Sequence, residues 1–420
     1  MVVALLQAWT WVVVVIMVVY AVRHWRFTWN RLSARQRPYY QDLIDSELPP
    51  VSIVVPMHNE ASVALKVLDA LLASNYPHHL LEIIPVDDQS SDETPALLYE
   101  YSQNYPFIRP IYNLSGERGK AAALNRALRF AANEIVLVFD ADYTPGRDLI
   151  RELAMAFVDP EVGAVMGRVI PRNSAVNLLT RLLSFERSGG YQVDQQARYN
   201  LDLFPQYGGT VGGFRRSVVL AMGGFNVLTL AEDTDLTVRL FIAGWRVLYA
   251  NGAECYEEVP ESWNARFRQL RRWARGHNRA CFAHIGALLR SRKLSTAQKT
   301  DGALLLFIYT VPPILLSGIA ANALLFFMGA IPVVPGILFA FFVVGYNAFG
   351  NFAPVFEVGA AELLDGAQQR LLLLPYLFYL FLFNSWAVTT GAFDALGDFV
   401  KSRRAAWDKT KHSGSVNAAS

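Results

Sequence analysis

The chain has 420 residues, of which 53% are hydrophobic and only 18% charged, with a formal net charge of +2. That balance is too apolar and too sparsely charged for an ordinary soluble protein, and it gives no support to a nucleic-acid partner. The apolar excess is concentrated, because residues 2–22, 302–356 and 371–393 carry no charged side chain, and each is long enough to cross a bilayer, for which about 20 residues suffice.

Residues 1–23 read as an N-terminal transmembrane helix. A cleaved signal peptide would have a basic start, a shorter apolar run and a small-residue cleavage site. Arg23, His24, Arg26 and Arg31 follow at once, which puts residue 23 onward on the cytoplasmic side of a plasma membrane. Cys255 and Cys281 then lie in a reducing compartment and are expected as free thiols. Residues 24–49 read as a juxtamembrane linker ending at Pro49-Pro50.

From Val51 a strand–helix alternation begins. Val51–Pro56 is an apolar strand, with Met57-His58-Asn59-Glu60 leaving its carboxyl end and a helix to about Ala73. Glu82–Val86 is a second strand, ending in Asp87-Asp88-Gln89-Ser90-Ser91-Asp92-Glu93-Thr94 and running on into a helix. Arg118-Gly119-Lys120 opens a third helix, Ala121 to Ala132, which leads to the strand Ile135–Phe139 and then Asp140-Ala141-Asp142. Alternation of this kind implies a parallel sheet with right-handed crossovers. Ligands bind at the carboxyl ends of such strands. Two carboxylates one residue apart at that edge suit Mg2+ or Mn2+ bridging to a diphosphate, although Asp-x-Asp alone is better explained by an acidic turn. Lys120 sits at a helix start, where backbone N–H groups and the dipole favour phosphate. The first strand lacks Gly-x-Gly-x-x-Gly, which excludes a dinucleotide site, and no Gly-Lys-Ser/Thr phosphate loop is present.

These pieces, in this order, resemble the catalytic domain of glycosyltransferase family 2, which has the GT-A nucleotide-sugar fold. The resemblance rests on Val51–Glu60, Asp87-Asp88-x-Ser90-x-Asp92-x-Thr94, Gly119-Lys120-x-x-Ala123-Leu124-Asn125 and Asp140-Ala141-Asp142. The implied architecture is α/β, a doubly wound, mostly parallel cytoplasmic domain over residues 50–260 plus an α-helical transmembrane region. The resemblance implies nucleotide contacts at Pro56, His58, Glu60, Asp87, Asp88, Lys120, Asp140 and Arg272, and a metal on Asp142 with Asp140. The family usually has Tyr where His58 stands, and an imidazole can stack on a base as well.

Further on, Gly163 to Ile170 reads as a strand and 174–200 as helical. Gly208-Gly209-Thr210-Val211-Gly212-Gly213 follows, whose glycines let backbone approach a sugar closely or simply make a tight turn. In similar enzymes this stretch, with Gly212 and Gly213, lines the acceptor end. Glu232-Asp233 leads into a helix from Leu236 to Ala243, near whose start Asp is also a good cap, and the resemblance makes Asp233 of this pair the general base. Residues 261–300 read as amphipathic interfacial helices, with six arginines between 266 and 279. Part of their role is to lie on anionic lipid. Gln269-x-x-Arg272-Trp273 is the motif of processive family members, and implies that Trp273 stacks on the acceptor, Gln269 bonds near it and Arg272 meets the diphosphate.

Residues 301–395 are expected to be transmembrane, the middle uncharged stretch crossing twice. Three crossings after the enzyme domain would put the basic tail, 396–420, outside, against its charge, so the side of the tail stays open. That tail is a membrane-surface segment or, through Trp407 and Thr410, a loop gating the site. The expected function is inverting, processive transfer of a hexose from a nucleotide sugar, UDP-linked more readily than GDP-mannose, to a β-linked polysaccharide that crosses the membrane. Accessory subunits are left open. The alternative is transfer of one sugar to a membrane lipid, a polyprenyl phosphate or a diacylglycerol, giving a glycolipid.

Overall fold

The computed structural model describes residues 1–34, 47–330 and 352–401. The gating positions Trp407 and Thr410, and the second part of the middle uncharged stretch, lie outside them.

Helix α1 (Val2–Ser33) continues into the residues expected to be linker, as far as Ser33. The catalytic half is one mixed sheet of β1 (Val51–Met57), β2 (Leu81–Asp87), β3 (Ile111–Tyr112), β4 (Ile135–Val138), β5 (Thr144–Pro145), β6 (Val162–Pro171), β7 (Gly212–Arg215) and β8 (Arg246–Glu257), in the order β3-β2-β1-β4-β7-β6-β8-β5. β1 pairs in parallel with both β2 and β4, as the alternation requires. β7 is antiparallel to β4 and β6.

The central strands β1, β2 and β4 are buried on both faces, and their alternate residues feed two cores. Ile53 and Val55 pack with Val67, Leu68 and Leu71 of α2 (Ala64–Leu72), and with Leu98 of α3 (Thr94–Asn104). Val54, Ile84 and Val86 face Leu124, Ala127 and Leu128 of α4 (Lys120–Phe130). Helix α5 (Leu149–Met155) closes the first core. The 174–200 segment is not uniformly α-helical, because α6 (Leu178–Ser188) passes into a π-helical stretch, Gly189–Gln195, before α7 (Gln196–Asn200). Wide π turns of this kind recur at functional sites. After β7 come α8 (Arg216–Ala221), α9 (Glu232–Ala243) and the long α10 (Trp263–Arg290).

Among the described residues, three helical stretches are long and apolar enough to cross a membrane: Val2–Ser33, Thr296–Phe327 and Arg370–Phe399. The second comprises α11 (Thr296–Phe307) and α12 (Val311–Phe327). It runs antiparallel to α1, with the Tyr20 hydroxyl donating to the Leu304 carbonyl at 2.7 Å and the Trp9 indole to Ser317 Oγ at 3.1 Å. Helix α13 (Phe352–Leu364) packs on the other end of α1, where the Trp25 and Phe356 rings lie 4.6 Å apart.

Helix α14 (Leu377–Lys401) does something the apolar count does not foretell. It lies alongside α10 in the same direction. Phe383 meets Trp263 at 4.7 Å, Asp394 pairs with Arg271 at 2.5 Å, Asp398 with Arg275 at 2.6 Å, and Phe399 meets Phe282 at 5.7 Å. The uncharged run 371–393 is therefore laid against a helix bearing six arginines between 266 and 279, not against α1.

Candidate active site

The carboxyl ends of β1, β2 and β4 open on one cavity of about 760 Å3. Pro56, His58 and Glu60 line it from β1, Asp88 from β2, and Asp140 and Asp142 from β4. Asp87, one residue earlier, is buried and does not line it. Asp88 also shapes the rim, because its carboxylate accepts from the Gly119 N–H and from Asn113 Nδ2, both at 2.6 Å. Gly119 has φ of +103°, a conformation natural to glycine. It turns the chain so that α4 begins at the cavity with no side-chain cap on its first turn, an arrangement that suits a diphosphate. His58 Nδ1–H donates to the Asp88 carbonyl at 2.8 Å, fixing the ring over the strand ends.

Lys120, the first residue of α4, reaches Asp140 Oδ1 at 2.5 Å. Burial works to lower its pKa, but the carboxylates of Asp140, Glu232 and Asp233 outweigh it and raise the value, so the ammonium stays charged. Thr210 Oγ1 accepts the Asp140 N–H at 3.0 Å. Glu232 and Asp233 open α9 on the opposite wall. Acidic residues in a first turn suit the helix dipole. Even so, burial, reinforced by Asp233, pushes Glu232 up to about 7. Gly209, at φ +76°, passes so close that a Cβ there would sit 3.1 Å from the Asp233 Cβ. The glycine-rich stretch thus serves Asp233, while Gly208 and Thr210 line the cavity. Gly212 and Gly213 do not, correcting the expected acceptor contact: both are buried in β7, where a Cβ on Gly212 would strike the Val165 carbonyl and one on Gly213 the Leu137 side chain.

Helix α10 presents Gln269, Arg272, Trp273 and His277 to the cavity. The guanidinium groups of Arg187 and Arg266 lie 5.3 and 5.7 Å from the Trp273 ring centre. Arg266 is buried, pairs with Glu186 at 2.5 Å and donates to Gln269 Oε1 at 2.9 Å. Arg187 binds Glu257 at 2.5 Å, and Glu257 accepts from the Tyr143 hydroxyl at 2.8 Å, next to Asp142. One ionic chain therefore joins the Asp-x-Asp turn to the Trp273 ring. The sequence reading missed Glu186, Arg187 and Glu257, which carry no local motif. It also missed His277, four residues after Trp273 and hence on the same helix face.

The cavity continues between the apolar helices, where Ile308, Pro312, Val358, Phe381 and Val388 form an apolar wall. At that end His24, Asp194 and Glu357 bring their ligand-type atoms within 4.8 Å of one another. Arg23 and Arg198 already pair with Asp194, so the grouping is a salt-bridge knot that brings its own cations.

The sequence profile of the family described as glycosyltransferase like family 2 matches residues 49–276. The chain is 36% identical over 234 residues to the probable glycosyltransferase YdaM of Bacillus subtilis, covering 55% of this chain and 56% of that one. It is 34% identical over 229 residues to the beta-monoglucosyldiacylglycerol synthase of Synechocystis sp., covering 54% and 48%. The chain thus spans about half the length of the curated relatives it matches. Among solved structures it is similar to the mannosyltransferase PcManGT from Pyrobaculum calidifontis in complex with GDP-Man and Mn2+, with a TM-score of 0.63 and 24% identity, over 86% of this chain and 98% of that one. At that identity the likeness shows the fold.

Proposed function

This chain belongs to glycosyltransferase family 2, and from that premise we propose that it transfers one hexosyl unit from a nucleotide sugar, UDP-linked, to a hydroxyl of a membrane lipid. The observation that carries this reading is the continuity of the cavity, from the β1, β2 and β4 ends to the apolar wall at Ile308, Pro312, Val358, Phe381 and Val388. A lipid hydroxyl can reach Asp233 along that wall without its chains leaving an apolar surface. The similarity to a beta-monoglucosyldiacylglycerol synthase points the same way.

Among the described residues, eleven carboxylate side chains line the cavity against five from Lys and Arg. That excess favours a neutral hydroxyl over a lipid phosphate as the group admitted. Diacylglycerol is therefore the preferred acceptor, ahead of polyprenyl phosphate.

In the reaction, Asp233 takes the proton of the acceptor hydroxyl, and its oxygen attacks the anomeric carbon from the face opposite the diphosphate. The bond from that carbon to the diphosphate oxygen breaks, with inversion. Lys120 and the uncapped first turn of α4 hold the leaving diphosphate, and Arg272 approaches it from α10. Asp140 and Asp142 fit a divalent ion such as Mg2+ or Mn2+. They offer hard oxygen donors, and the carboxylates that line the same cavity outnumber its Lys and Arg side chains. Such an ion supplies neutralisation of the departing diphosphate.

A second reading, processive polymerisation, draws on Gln269, Arg272 and Trp273 standing together on the cavity wall. The test for both is purified protein in vesicles containing dioleoylglycerol, with Mn2+ and a panel of labelled nucleotide sugars. A single-sugar glycolipid is expected, formed from a UDP-sugar and lost in excess chelator. A high-molecular-weight product would replace the lipid reading with the polymer one.

A further inference from the structure

His277 has no part in the transfer chemistry described above, yet it lines the cavity beside Thr234 and Asp233. Its setting is built. Gly276 brings α10 against the chain before α9, where a Cβ would lie 3.0 Å from the Leu230 carbonyl carbon. The imidazole stacks on Tyr309, with ring centres 4.6 Å apart and planes at 20°. Its Nδ1 lies 3.0 Å from Thr234 Oγ1, and Gln206 Nε2 donates to the same hydroxyl at 2.9 Å. Gln206 is in turn clasped by Gln195 of the π-helical stretch, through its N–H at 3.0 Å and its carbonyl at 3.1 Å.

Proton bookkeeping then assigns the tautomer. Thr234 Oγ1 accepts from Gln206 and has a second lone pair, but among the described residues the acceptor placed for its own hydroxyl proton is His277 Nδ1, and pairing the two satisfies both groups. The ring proton therefore sits on Nε2. Burial lowers the pKa of the imidazole against the opposing pull of Asp233, which keeps the ring neutral at pH 7. Nε2–H has no protein partner among the described residues.

We propose that His277 is an acceptor-binding residue whose Nε2–H donates to an oxygen beside the attacking hydroxyl, turning that hydroxyl toward Asp233. The proposal rests on the reading of this cavity as a glycosyl-transfer site. The oxygen has two sources of shared chemistry, the ester carbonyl of a diacylglycerol and a ring hydroxyl of a sugar-bearing acceptor. A donor already carrying its proton does not compete with Asp233 for the proton of the acceptor.

The experiment measures acceptor KM, kcat and the Kd of the nucleoside diphosphate for the full-length protein in mixed micelles. His277→Phe keeps the stack and loses the donor, and one neutral hydrogen bond of about 1 kcal/mol corresponds to an acceptor KM raised roughly 5- to 10-fold. Kd is expected to stay within about twofold. His277→Gln places an amide N–H near the Nε2 position and is expected to restore most of the loss. His277→Asn keeps a partner for Thr234 but falls short of that position, and is expected to behave like the Phe variant. It decides the matter should the Phe variant lose nucleotide binding. An unchanged acceptor KM in the Asn variant, or no recovery with Gln, overturns the proposal. Replacing dioleoylglycerol by its dialkyl ether analogue removes the ester carbonyl. If wild type then loses the same factor and His277→Phe loses nothing more, the carbonyl is the partner. If wild type is unaffected, the ester carbonyl is ruled out as the partner, and the proposal then stands only if His277→Phe shows the same loss with a sugar-bearing acceptor. Absence of any sugar transfer by wild type refutes the transferase reading instead, before any variant is compared.

Discussion

At Glu232, burial and the charge of Asp233 raise the carboxyl to about 7, with Lys120 pulling the other way. A carboxyl raised from its usual value holds its proton more tightly in the folded chain than in the unfolded one. Its contribution to stability is therefore complete below about pH 4.5 and is lost as pH rises through about 7. In the metal-free protein, apparent Tm should fall over that window, and Glu232→Gln should flatten the fall by about 2–4 °C. Parallel curves for the two proteins would remove Glu232 as the source. Asp233→Asn should lower kcat by at least about 100-fold, the scale of a lost general base, with nucleotide affinity kept. Wild-type turnover would dismiss Asp233 from that role. Both residues were singled out in the sequence through the family resemblance, since the local signal of an acid near a helix start is equally that of a cap. Asp88 was legible too, but not that it would face the cavity while Asp87 turned inward, since neighbouring residues on a strand point to opposite faces and only the register decides which.

Among the elements, β1, β2, β4, α4 and α9 were readable from apolar runs and helix starts, because their signals are local. The buried charges Glu186, Arg187, Arg266 and Glu257 were not, since each is explained only by partners from another element. The same holds for α14, whose apolar run satisfies a membrane span and an interfacial helix equally. Its contact with α10 is close at Gly391, where a Cβ would meet the Ala274 Cβ at 2.8 Å and the Arg271 carbonyl closer still. Gly391→Val should therefore push the two helices apart, at a cost of about 1–3 kcal/mol. The expected sign is a lowered apparent Tm together with a weaker acceptor KM, because Val388 and Asn384 of α14 line the cavity. An unshifted Tm would mean the helices do not pack as described.

For the whole molecule, the direction of α14 bears on the side of the membrane at which the chain ends. A helix that follows α10 through Arg271–Asp394 and Arg275–Asp398 keeps both of its ends at the catalytic face. The packing of α14 on α10 therefore does not require α14 to cross a bilayer, although it is long and apolar enough to do so. Spin labels placed singly at Tyr379 and Phe399, both exposed, should report equal depth in a bilayer. Depths differing by the thickness of the hydrocarbon core, about 30 Å, would restore the crossing helix. The native Cys255 and Cys281 are buried, which leaves the introduced positions as the reactive ones.

Arg23 of α1 pairs with Asp301 at 3.0 Å and with Asp194 at 3.4 Å, and Arg31 donates to the Gln192 carbonyl at 2.7 Å. The consequence concerns modularity. Breaking a buried pair by removing one partner is costly, and an enzyme begun at residue 50 would leave Asp194 and Asp301 to share Arg198, having lost Arg23, at the edge of its own cavity. The first helix is thus not a replaceable tether. Exchanging it for a foreign span of equal hydropathy should yield a protein that inserts but does not hold its site, and only a span carrying the two arginines in the same register could stand in for it.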